Sequence, residues 1–60
     1  MNTSPMFFGT EEDALAEIAT FKGWPLAIAK EINVNDSTAW AIFADDSDDA
    51  KAYNKEGYFL

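Results

Sequence analysis

The chain has no cysteine and no histidine, and its four cations are all lysine, so arginine is missing as well. Each absence removes a chemistry. Without cysteine there are no disulfides, no thiolate zinc sites and no thiol nucleophile. Without histidine there is no side chain whose ordinary pKa suits proton shuttling near neutral pH. Without arginine the planar fork that grips phosphate is lost. Cations are scarce altogether: four lysines face eleven carboxylates, for a net charge of −7. That field repels a polyanion, which argues against direct binding of DNA or RNA. It favours approach to a basic protein surface, including one that ordinarily holds nucleic acid.

Long apolar runs are missing too. No stretch approaches the roughly 18 residues that a membrane span requires, so no membrane partner is expected. The start, MNTSPMFFG, lacks the basic beginning and long apolar core of a secretory leader. With its initial Met, the chain reads as complete, intracellular and cytoplasmic (host cytoplasm if virus-encoded).

What the chain has in quantity is apolar surface, at 48% hydrophobic and 15% aromatic residues, too much for a solvated tail. Sixty residues make one domain, spanning 1–60. A domain of this size buries only roughly 60% of the surface its unfolded chain exposes. It normally needs a disulfide, a metal or a second subunit as a staple. With disulfides excluded, an all-oxygen metal site or a homodimer remains.

The clearest element is TEEDALAEIATFKG, residues 10–23. Thr10 is an N-cap candidate with Asp13 at capping-box spacing, and Glu11, Glu12 and Asp13 crowd the first turn, where the helix dipole favours anions. Ala14, Leu15, Ile18 and Phe21 form one stripe, opposite Glu12, Asp13, Ala16, Glu17 and Thr20. Gly23 is the expected stop. Before this helix, MFF (Met6–Phe8) reads as a brief strand or a hydrophobic staple.

Residues 24–32 alternate Leu26, Ile28, Lys30 and Ile32 with Ala27, Ala29 and Glu31, although Ala, Leu, Lys and Glu also suit a helix. TAWAIFA, residues 38–44, alternates with strong β formers. The turn-rich NVNDS between them makes a hairpin the better reading. One face of this hairpin is expected to carry Leu26, Ile28, Ile32, Trp40 and Ile42 under the helix. The other would carry Ala27, Ala29, Ala39, Ala41, Phe43 and Glu31, either covered by the chain's end or open as a contact surface.

DDSDDAKAYNKEG reads as a short second helix, with Ser47 as cap, Asp48 and Asp49 in the first turn, an Asp48–Lys51 pair and Gly57 as stop. YFL, residues 58–60, reads as a last strand. The expected class is therefore α+β, in the order (β)αββα(β), a miniature of the ferredoxin-like split β-α-β arrangement.

The Asp cluster carries the functional expectations. From Asp45, positions 1, 3, 5 and 12 of a calcium loop would be Asp45, Ser47, Asp49 and Glu56. Position 6, however, is Ala50, where such a loop needs glycine for its sharp turn. Spaced carboxylates can also mimic phosphates in a basic groove, yet five of the eleven acids sit where helix starts want them. An enzyme is not expected, since a chain this short leaves little room for a pocket and has no nucleophile–base pair. No cofactor is implied.

The leading expectation is a small acidic, non-catalytic module that binds and modulates or inhibits another protein. Virus-encoded accessory proteins are among the chains that fit this size and charge. The expected contact residues are Phe43, Asp45, Asp46, Asp48, Asp49, Tyr58 and Phe59. A nucleic-acid mimic and a calcium-binding module at 45–56 are the alternatives.

Overall fold

The computed structural model describes residues 4–60 and shows one helix and a two-stranded antiparallel sheet, an α+β domain. Residues 1–3, part of the stretch read for a leader, lie outside the described residues.

Helix α1 spans Glu11–Ile18, with Thr10 extended as N-cap and its hydroxyl accepting from the Asp13 N–H at 3.1 Å. It stops a turn earlier than its periodicity predicts. The Thr20 and Phe21 amides drop back to the carbonyls of Glu17 and Ile18, three residues behind, and the Thr20 hydroxyl also donates to Glu17 O. This tightened turn swings Phe21 against Tyr53, with ring centroids 4.7 Å apart. Gly23, the expected stop, has φ +87° but lies beyond the end of α1, whose C-cap is Ala19. The buried stripe is Ala14, Ile18 and Phe21. Leu15, expected on that stripe, is 50% exposed, because α1 is rotated to bring Glu17 to the core's margin.

Strands β1 (Ile28–Val34) and β2 (Ser37–Phe43) form the expected hairpin, with a loop of only two residues. Asn35 and Asp36 both have positive φ, +52° and +66°, the type I′ geometry that matches strand twist and that Asn and Asp tolerate best. This turn fixes Val34 opposite Ser37, and the rest follows, down to Ile28 opposite Phe43.

The register corrects the expected division of faces. Ile28, Lys30, Ile32 and Val34 share a face with Ala39, Ala41 and Phe43, whereas Ala29, Glu31 and Asn33 share the other with Thr38, Trp40 and Ile42. A one-residue change in pairing moves a whole strand's side chains to the opposite face. The longer loop expected from NVNDS left that parity open. Leu26 is not in the core at all, being 68% exposed ahead of β1.

α1 covers the Ala29, Trp40 and Ile42 face. The core is Ala14, Ile42 and Tyr53, with Met6, Phe8, Ile18, Phe21, Ala27, Ala29, Trp40 and Phe59 packed around it. Ile42 is the only large side chain that is fully buried among the described residues.

The outer edge of β2 is shared by both ends of the chain. Phe8 and Trp40 exchange backbone hydrogen bonds at 2.8 Å, so MFF is strand-like. The first segment, through this isolated pairing, and β1 thus flank β2, and α1 connects them. Further along β2, Ala52 pairs with Phe43, and the Tyr53 N–H donates to Ile42 O. Met6 N–H donates to Tyr53 O and ties the two ends together.

The second helix does not form, and with it go the full (β)αββα(β) order, the complete ferredoxin-like miniature and the Asp48–Lys51 pair. Residues 44–51 are an irregular loop and residues 52–54 an extended segment. The cause is local. The Asp45 carboxylate accepts from both the Ser47 N–H, at 2.9 Å, and the Ser47 hydroxyl, spending the intended cap on a turn. Tyr53 gains more by entering the core from an extended chain than from a helix with one large side chain. The chain then turns at Asn54, whose buried side-chain oxygen accepts the Glu56 N–H at 2.8 Å. Phe59 returns to pair with Tyr53, so the expected last strand is present as an isolated pairing.

Candidate interaction surface

Two layers leave one sheet face without a partner element. The helix lies on the Ile42 side, and none of Ile28, Ile32, Val34, Ala39 or Phe43 belongs to the core cluster. These five are half-buried, and Ala41 between them on the same face is 1% exposed. Strand alternation places Phe7, between the core residues Met6 and Phe8, on this same side, and Leu60 likewise through its pairing with Ala52. Both are well exposed, at 47% and 40%. An apolar surface rimmed by polar residues is a candidate contact site.

Lys30 is the one lysine on the face among the described residues. Opposite Ala41 in the register, it carries its ammonium to 5.5 Å from the centroid of the Phe43 ring and 3.7 Å from an Asp46 carboxylate oxygen. The alkyl stem covers apolar surface while the charge reaches the rim. The ion pair is exposed on the Asp46 side, at 88%, and contributes little to stability. It marks where Asp46 lies, beside the apolar face.

Within that loop, Asp45 is held by Ser47. The hydroxyl and then the backbone N–H of Ser47, with the more distant Lys30 charge, keep its carboxyl below the ordinary carboxylate value, against a small opposing effect of burial. Asp46, Asp48 and Asp49 are all exposed.

Of the residues singled out from sequence, the structure brings Phe43, Asp45 and Asp46 together at one end of the open face, with Asp48 and Asp49 farther along the same loop. It separates the other two. Phe59 lies in an aromatic cluster with Trp24 (4.7 Å), Tyr53 (5.6 Å) and Phe21 (6.0 Å). Tyr58 is 68% exposed on the preceding turn. Trp24 meets Phe59 at a tilt and stays 42% exposed. Lys30, Ile32 and Val34 were not anticipated as site residues. A lone lysine inside an alternating apolar strand was the available signal.

Glu17 and Tyr53 form the other polar contact of note. The phenol donates to a Glu17 carboxylate oxygen at 2.9 Å, and burial, followed by the Glu17 hydrogen bond and charge, raises the Tyr53 pKa above its ordinary 10.0. Among the described residues no cavity is enclosed, no three carboxylates converge as a metal cage, and no helix is long and apolar enough to cross a membrane. Comparison with protein families, with curated proteins and with solved structures found no match.

Proposed function

We propose that the chain is a protein-binding module that acts by contact, without catalysis, and docks through the sheet face opposite α1. The observation that carries this reading is the juxtaposition of an open apolar face with a carboxylate loop, whose Asp46 lies 3.7 Å from Lys30 on that face. The apolar patch supplies contact area and the loop supplies a charged rim, the usual anatomy of an interface. The partner that fits is a protein with an apolar patch flanked by lysine or arginine. Occupying that surface blocks whatever else uses it, which makes inhibition or modulation the natural outcome. The charge rim favours steering of the encounter more than affinity once bound.

The test is Asp45→Lys with Asp46→Lys. Each exchange adds two charges, taking the net charge from −7 to −3. Proteins captured from a lysate by the wild-type chain at low salt should be lost from the double variant. With any one of them, the association rate should fall about tenfold or more and lose most of its salt dependence. An unchanged association rate removes the loop from the mechanism. A nucleic-acid mimic would need the carboxylates alone to carry recognition. The apolar face beside them favours a protein-to-protein contact instead.

A further inference from the structure

The open edge of β1 has a self-complementary arrangement. Trp40 spends both its N–H and its C=O on Phe8, and Ile42 O accepts from Tyr53, so these two residues turn their backbone groups away from β1. In an antiparallel pair, the residues directly opposite them turn outward on the far edge. Those are Glu31, opposite Trp40, and Ala29, opposite Ile42; Asn33 continues the alternation. The N–H and C=O groups of these three residues form a row along the rim of the sheet, with no partner among the described residues. Such an edge is a template for another strand.

We propose that this edge pairs with the β1 edge of a second copy, antiparallel about a twofold axis centred on Ile32. Three registers pair outward-facing residues while overlapping most of β1. One centred on Lys30 sets Lys30 against Lys30 of the second copy. One centred on Glu31 sets two glutamates face to face. Like charges directly opposite are unfavourable. Centring on Ile32 avoids both. It stacks the two Ile32 side chains, sets Lys30 against Val34 of the second copy, and places Glu31 opposite Asn33. It also brings Lys30 diagonally toward Asp36 in the turn of the second copy, an opposite-charge pair repeated by symmetry.

The twofold axis stands perpendicular to the sheet. Both α1 helices therefore lie on one side, and the two open faces merge on the other into one four-stranded surface. Two facts on the monomer favour this occupant. A sheet of two strands, even with α1 packed on one face, gains from further strands. A 60-residue chain without disulfides, in which Ile42 is the only large side chain fully buried among the described residues, also has a thin core. The dimer rests on the edge and not on the partner-binding reading. Salt separates the two: it screens repulsion between chains of charge −7 and tightens the dimer, whereas it weakens capture of a basic partner.

The test is sedimentation equilibrium from micromolar to millimolar chain, with circular dichroism to confirm that each variant is folded. The wild type should pass from monomer to dimer across that range, at lower concentration in higher salt. Asn33→Glu sets glutamate against Glu31 twice and should weaken the dimer about tenfold or more. Asn33→Lys should tighten it by a similar factor, and Glu31→Lys combined with Asn33→Glu should restore it. A chain that stays monomeric throughout overturns the proposal. A dimer indifferent to all three variants also overturns it, since it would lie on another surface.

Discussion

Tyr53 does two things at once: its ring closes the core beside Ile42, and its hydroxyl reaches Glu17 across the end of α1. Folding raises its pKa, so the folded state favours the neutral phenol. The stability this contributes is complete below pH 10 and is lost as pH rises through the higher folded value. Thermal melts should therefore show the wild type losing stability in alkali. Tyr53→Phe should remove that alkaline loss, at a cost of about 1 kcal/mol near neutral pH for the missing hydrogen bond. A wild type that melts at the same temperature from pH 7 to about pH 11 would show that the phenol is not coupled to folding. Asp45 works in the opposite sense. Its lowered pKa gives a contribution present above the ordinary carboxylate range and lost as pH falls through the folded value. Its exposure keeps that effect small.

At the scale of elements, the clearest signals in the sequence were the local ones. Thr10 with its acidic first turn announced α1, and alternation on either side of an Asn/Asp turn announced the hairpin. What did not show was parity. The choice of Asn35–Asp36 as the two loop residues depends on backbone twist, and that choice alone sends Ile28 and Ile32 to the open face instead of the core. The second helix failed for a related reason. Ser47, Asp48, Asp49 and Gly57 carry real start and stop signals, yet a cap is useful only to a helix with a face to bury. This segment has Tyr53 alone, and β2 offers it an edge. The turn invites an experiment of its own. Asp36 holds φ +66° at a position where glycine is unstrained. Asp36→Gly should stabilise the hairpin by roughly 1 kcal/mol, read as a higher midpoint in urea. A lower midpoint would mean that Asp36 makes a contribution beyond its backbone conformation.

At the scale of the whole molecule, a two-layer domain leaves one sheet face without a second layer. The charge imbalance was plain from composition, and so was the need of so short a chain for outside support. Which apolar residues the fold leaves uncovered was not, because that required the register. Once it is known, Ile32 and Phe43 stand on the open face and Ile42 stands in the core, although all three lie in alternating apolar strands. The two classes should respond differently to truncation. Ile42→Ala should cost about 2–5 kcal/mol and largely unfold so small a domain. Ile32→Ser with Phe43→Ser should cost no more than about 1 kcal/mol for each site, as expected for half-exposed positions.

The most direct measurement is the dissociation constant of a captured partner for wild type and for the folded Ile32→Ser/Phe43→Ser chain, by calorimetry at one salt concentration. If the face opposite α1 is the docking surface, affinity should fall at least about a hundredfold, or about 2.7 kcal/mol. Equal affinity, with the variant's fold intact, would contradict the account and move the binding site elsewhere on the molecule.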